Sequence, residues 1–233
     1  MMQRDVIIAC DFSSKEETLN FLDSFKEEKP YVKIGMELYY ACGPEIVKEI
    51  KSRGHKIFLD LKLHDIPNTV YKAMKNVAKL GVDMTNVHAS GTIEMMKAAK
   101  KAIDDIGAET KLIAVTQLTS TSEDVMHEEL LIPNGMQETV AHYALNAKKA
   151  GLDGVVCSPL EATIVKETCG EEFVSVTPGI RFADDAKGDQ KRVTTPAIAK
   201  DLGCHYIVVG RSITGAKDPV AAYRKAKTEF QGE

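Results

Sequence analysis

The stretch KIFLDLKLHDIPNTVYKAMKNVAKLG, residues 56–81, changes its period partway along. Its first part, KIFLDLKL, is a short apolar run with branched and aromatic residues, as a buried strand would be. From NTVYKAM onward the apolar residues fall at helical spacing, and Gly81 closes the segment. One strand followed by one helix is a βα unit, and the question is how often it recurs.

Seven further runs of the same kind follow or precede it at intervals of roughly 25–30 residues. They are VIIACD from residue 6, YVKIG from 31, MTNVHA from 84, KLIAVTQL from 111, GVVCSP from 154, FVSVTPGI from 173 and YIVVGRSI from 206. Most are too apolar for a sheet with one wet face and fit parallel strands covered on both sides. The intervening segments read as helices; SSKEETLNFLDSFKEE, for example, opens with a serine able to cap and glutamates in the first turn. Eight units predict an α/β chain folded as a (β/α)8 TIM barrel, a single catalytic domain over residues 1–233. A doubly wound open sheet is the structural alternative, but no GxGxxG follows the first strand and no composition break marks a second layer.

Composition narrows the partners. The chain is 44% hydrophobic with a formal net charge of -4, and no Lys/Arg cluster is interleaved with aromatics, so a small-molecule partner is expected and nucleic acid is not. The five cysteines, Cys10, Cys42, Cys157, Cys169 and Cys204, form no CxxC pair and read as reduced packing residues. MMQRDVIIACD enters a strand almost at once and no apolar run reaches membrane-spanning length, so a soluble, cytoplasmic protein without a membrane partner is expected. The histidines His55, His127, His142 and His205 read as surface or capping residues.

In a βα barrel the reactive groups collect where strands end and βα loops begin. Polar and charged groups are found at those ends: Asp11 after the first strand, Lys33 on the second, Asp60 and Lys62 on the third with Asp65 just beyond, Asn86 and His88 on the fourth. Asp60 and Lys62 are two apart and share a strand face. Lys33 alone also fits a lysine snorkelling from a strand end, and Asp60 with Lys62 also fits a structural ion pair. A buried pair is nevertheless a poor source of stability, because desolvating both ions can exceed their attraction, so charges kept there point to chemistry.

The last unit, YIVVGRSITGAKDP, offers Gly210 for close ligand approach and Arg211 as a fixed bidentate cation, matching the phosphate site that barrels build after their seventh and eighth strands. Gln190 in the seventh loop adds a neutral donor, and Arg181 follows TPGI. The long connections TSTSEDVMHEELLIPNG and RFADDAKGDQKRVTTP read as functional loops on the catalytic face, the second as a flap.

With D-x-K-x-x-D in the third unit, TPGIR in the seventh and VVGRSIT in the eighth, the chain resembles the orotidine 5'-phosphate decarboxylases of the short bacterial type over essentially its whole length. D-x-K-x-x-D alone is shared with related sugar-phosphate enzymes such as 3-keto-gulonate-6-phosphate decarboxylases. DLKLHDIPNT with LTS, TPGIR and VVGRSIT is specific to the orotidylate enzymes.

The resemblance implies a lyase that converts orotidine 5'-phosphate to UMP and CO2, the last step of de novo UMP biosynthesis, without cofactor or metal. It implies a homodimer with shared sites, Asp65, Ile66 and Thr69 reaching the neighbouring subunit's site while Lys33, Asp60 and Lys62 stay in their own. By the same carry-over Asp11 and Lys33 hold the ribose hydroxyls, and Thr119 and Ser120 lie against the pyrimidine. Gln190, Gly210 and Arg211 hold the phosphate, with Pro178 and Arg181 lining the closing loop. Lys62 then stabilises the C6 carbanion and donates the proton.

Two competing readings remain at this level. A metal-dependent phosphosugar epimerase or aldolase would use Asp60, His64, Asp65 and His88 as ligands, although Lys62 beside a metal is unfavourable. A barrel that merely binds sugar phosphates would not need a lysine between two carboxylates.

Overall fold

The computed structural model describes residues 4–185 and 194–232. All eight expected strands are present: β1 (Asp5–Ala9), β2 (Tyr31–Gly35), β3 (Ile57–Leu63), β4 (Met84–His88), β5 (Lys111–Val115), β6 (Gly154–Val156), β7 (Val174–Ile180) and β8 (Tyr206–Val209). They pair in parallel in chain order and close into a barrel through β1 and β8.

Alternation along each strand divides its residues between two cores. Val6 and Ile8, Val32 and Ile34, Ile57 and Leu59 belong to the shell packed under the helices. Ile7 and Ala9, Tyr31, Phe58, Met84, Ile113, Val176, Tyr206 and Val208 fill the barrel interior. Below the mouth both faces of the strands are therefore dry, which is why the strands read as largely apolar runs.

The helix after β3 runs Pro67–Ala78 with the proline in its first turn, where a missing N–H leaves no bond unmade. It buries Val70, Met74 and Val77 at helical spacing, each contributing roughly 1.5–3 kcal/mol by area. The first helix, Lys15–Asp23, is capped as expected, the Ser14 side chain accepting from the Glu17 N–H.

Two expectations need correction. The connection after β5 is not all loop: Glu123–Glu128 form a helix capped by Ser122, with Met126 buried beneath it. His55 and His205 are buried rather than surface residues; His55 Nδ1 lies 2.9 Å from the Pro30 carbonyl and His205 Nε2 lies 3.0 Å from that of Glu171. The cysteines do read correctly as free packing residues, although Cys42 is only half-buried.

Candidate active site

Two irregularities shape the mouth of the barrel. On β3 the pairing with β4 jumps from Leu59↔Thr85 to Leu63↔Val87, so four steps on one strand oppose two on the other. Within that bulge Lys62 adopts φ 52°, in the left-handed region, a conformation that costs a non-glycine residue on the order of 1–2 kcal/mol. On β7 the pairing with β8 shifts between Thr177 and Ile180, with Pro178 and Gly179 (φ 82°) in the irregular turn. Bulges of this kind re-aim side chains next to active sites.

The inward column of β3 rises from Phe58 through Asp60 to Lys62, and that of β2 from Tyr31 to Lys33. Both columns change from apolar to charged as they approach the open end. Lys62 Nζ donates to Asp60 Oδ1 at 2.6 Å, and Asn86 Nδ2 donates to the same oxygen at 2.7 Å. Lys33 Nζ lies 3.6 Å from Asp60 Oδ2 and donates to Asp11 Oδ1 at 2.8 Å. Gly35 leaves room for that last pair, since a Cβ there would stand 3.1 Å from Asp11 Oδ1 and 3.2 Å from Lys33 Nζ.

Burial and charge oppose each other at Asp60. Burial alone would raise its carboxyl, but Lys33, Lys62 and the hydrogen bonds from Lys62 and Asn86 outweigh it and hold it below the usual carboxylate range. At Lys33 burial pulls the other way and is outweighed by Asp60 and Asp11, so the ammonium form is favoured. These groups form an ionised cluster at the end of a dry barrel.

The cluster borders a cavity of about 300 Å³. Its lining combines the apolar Phe58, Val115, Leu118, Val156, Val176 and Val208 with the charged Lys33, Asp60 and Lys62 and the polar Gln117, Thr119 and Ser120, together with Cys157 and Pro178. Such a space fits a flat ring with polar edges and a reacting atom beside the charged side chains.

The structure thus brings Lys33, Asp60, Lys62, Thr119, Ser120 and Pro178 around one cavity, with Asp11 joined through Lys33. Gly210 follows β8 on the β1 side, where a Cβ added to it would stand in ordinary contact with Ala9 Cβ at 3.7 Å, and Arg211 opens the short helix Arg211–Thr214. Arg181 leaves β7 almost buried. Among the described residues its Nε, like Ser212 Oγ, has no hydrogen-bond partner. Gln190 lies outside the described residues.

Asp65, Ile66 and Thr69 are exposed and line none of this cavity, and Asp65 accepts only the Ile66 N–H at 2.6 Å among the hydrogen bonds described. Asn86, noted at the end of the fourth strand but given no role, and Gln117, absent from the sequence-derived set, both belong to the site. The inward parity of their strands, Met84 to Asn86 and Ile113 to Gln117, is the signal that would have placed both in the site.

For the metal reading the geometry is unfavourable. Among the described residues no three His, Cys, Asp or Glu side chains converge as a metal site requires. His64 and His88 lie ring against ring at 5.6 Å, and burial, then His64 and Lys62, push His88 toward its neutral form.

Comparison with known proteins is decisive for kinship. The model of the orotidine 5'-phosphate decarboxylase / HUMPS family matches residues 4–226. The orotidine 5'-phosphate decarboxylase of Fusobacterium nucleatum is 57% identical over 230 residues, 99% of this chain and 97% of that protein. That of Streptococcus mutans is 58% identical over 227 residues, 97% of each chain. The crystal structure of orotidine 5'-phosphate decarboxylase from Lactobacillus acidophilus superposes with a TM-score of 0.87 at 45% identity, covering 98% of this chain and 99% of that one.

Proposed function

The chain belongs to the orotidine 5'-phosphate decarboxylase / HUMPS family, and from that membership we propose which of its residues carry the reaction and how two copies share it. It is an enzyme of pyrimidine biosynthesis that decarboxylates orotidine 5'-phosphate, giving UMP and CO2. The observation behind the assignment of roles is the ionised Lys33–Asp60–Lys62 cluster, held beside the cavity at the barrel mouth.

Loss of CO2 breaks the bond between C6 and the carboxylate and leaves its electron pair on C6. With no conjugated sink for that pair, stabilisation must come from fixed charge, and a proton must follow. Lys62 supplies both: its ammonium faces C6, lowers the energy of the developing carbanion, and transfers a proton to form the C6–H bond. The amine left behind recovers its proton from solvent after UMP departs. No cofactor enters this scheme.

Asp60 faces the substrate carboxylate. At ~4 Å and an effective dielectric of ~20, two such charges repel by ~4 kcal/mol before neighbouring cations are counted. That is at most about a thousandfold in rate at ~1.4 kcal/mol per tenfold. Lys33 and Lys62 reduce it further, so carbanion stabilisation is the larger effect.

Asp11 and Lys33 take the ribose hydroxyls, and Thr119 and Ser120 take the pyrimidine. Gly210, Arg211 and Gln190 take the phosphate, with Arg181 and Pro178 at the closing loop. Arg181 Nε and Ser212 Oγ, buried and without a partner among the described residues, support an anion near the ends of β7 and β8, since buried donors are rarely left unmade. Phosphate binding there is remote from C6, and its energy is available to close the seventh loop over the substrate.

Asp65, Ile66 and Thr69 act in the neighbouring subunit of a two-fold homodimer. Their exposure supports this, Ile66 being 66% exposed beside an ionisable residue that has no place in its own cavity. We place one barrel domain per subunit and, on the free thiols, the enzyme in the cytoplasm. No helix among the described residues is long and apolar enough to cross a membrane.

The roles are tested by Lys62→Ala. The folded variant, followed by loss of orotidylate absorbance, is expected to lose at least about a thousandfold in kcat. Retention of most activity would refute the role given to Lys62.

A further inference from the structure

We propose that Asn86 is a positioning residue that holds the Lys62 ammonium and the Asp60 carboxylate in their working geometry through the two ends of one amide. The inference rests on the reading of Lys62 as the proton donor.

Asn86 is fully buried on β4. Its Nδ2 donates to Asp60 Oδ1 at 2.7 Å, and its Oδ1 accepts the Lys62 backbone N–H at 2.8 Å. A carboxylate can only accept and a backbone N–H can only donate, so the two bonds together fix which way the amide faces.

The second bond answers a problem created by the β3 bulge. Where the ladder between Leu59 and Leu63 is broken, the N–H of Lys62 has no regular strand partner, and a buried N–H must find one. Asn86 provides it and thereby fixes the backbone at φ 52°. From that backbone the side chain folds back so that Nζ meets Asp60 Oδ1 at 2.6 Å, the oxygen the amide also holds. One side chain thus sets both the backbone turn that aims Lys62 and the carboxylate that receives it. Removing it frees the strained residue to relax, and a displacement of about 1 Å at a reacting group can cost about a hundredfold in rate.

Replacement by aspartate offers a readout that loss of packing alone would not move. An ionised carboxylate at position 86 cannot donate to Asp60 and sets a like charge against it. Once protonated it regains the amide's pattern, an O–H toward Asp60 and a carbonyl toward the Lys62 N–H. The ionisable groups facing position 86 are Asp60 and Lys62 from β3, with Lys33 of β2 on the far side of Asp60 and His88 on β4 itself beside His64. From β5 the residue in register is the apolar Ile113. Those ionisable groups titrate in both proteins, so the difference between variant and wild-type profiles isolates position 86.

The experiment measures kcat and KM on orotidine 5'-phosphate from pH 5 to pH 9 for wild type, Asn86→Ala, Asn86→Asp and Lys62→Ala. Asn86→Ala is expected to lose about a hundredfold in kcat with KM within a few-fold of wild type. The Asn86→Asp to wild-type kcat ratio is expected to rise as pH falls. The inference is overturned if Asn86→Ala keeps kcat within a few-fold of wild type, or if the Asn86→Asp ratio is flat across that range. Should Asn86→Ala not fold, the aspartate profile decides alone. Failure here with Lys62→Ala inactive removes only the role of Asn86, whereas an active Lys62→Ala removes the reading beneath it.

Discussion

Asp60 is buried between two lysines and an amide, and its charge state decides whether the cluster can work. Its carboxyl is held below 3.8, so its contribution to stability is fully present above that pH and is lost as pH falls through the folded value. Lys33 is raised above 10.5, so its contribution is present below that pH and lost as pH rises through its own folded value. Between those limits both groups stay ionised. A carbon-13 NMR titration of the Asp60 carboxyl should give a midpoint below 3.8, and a midpoint at or above it would show that burial outweighs the lysines. The shared face of Asp60 and Lys62 was legible from their spacing alone. The turn at Lys62 was not, because a lysine carries no sequence sign of a positive φ, which is imposed here by the broken ladder and the amide across it.

β2 and β3 pack apolar side chains at their base and carry charged ones at their tip, and the change comes within a few residues. On β2 it runs from Tyr31 to Lys33 to Gly35, where the chain enters the helix Met36–Cys42. A methyl on Gly35 would crowd Asp11 Oδ1 and Lys33 Nζ, both of which can yield by a few tenths of an ångström. Gly35→Ala should therefore keep the fold and its thermal midpoint to within a few degrees, while raising KM several-fold through the displaced pair. An unchanged KM would place the Asp11–Lys33 pair outside the substrate contacts. All eight strands were readable because burial on both faces makes them largely apolar. The helix Glu123–Glu128 was missed because it is short and buries only Met126, too little to print a helical period. Gln117 was missed, and Asn86 was named without a role, because a neutral side chain in a strand shows no function until the register shows which face it shares.

In the closed barrel Lys33, Asp60 and Lys62 converge at the mouth, whereas Asp65 faces outward, three residues along the chain from its own subunit's lysine and expected to serve the lysine of the neighbouring subunit. D-x-K-x-x-D places both carboxylates near the lysine in sequence. The end of β3 separates them, Asp60 inside the mouth and Asp65 on the exposed turn before Pro67. One chain therefore cannot reveal the purpose of Asp65, which is why that part of the site rests on resemblance and exposure. Mixing of subunits tests the proposal that each active site joins Lys62 of one subunit to Asp65 of the other. Lys62→Ala and Asp65→Ala proteins, each nearly inactive alone, are unfolded together in equal amounts, refolded, and checked for mixed dimers by native mass spectrometry. Random pairing makes half the dimers mixed, each with one intact and one doubly altered site, so about a quarter of wild-type activity should return. Mixed dimers no more active than the two parents would contradict the claim.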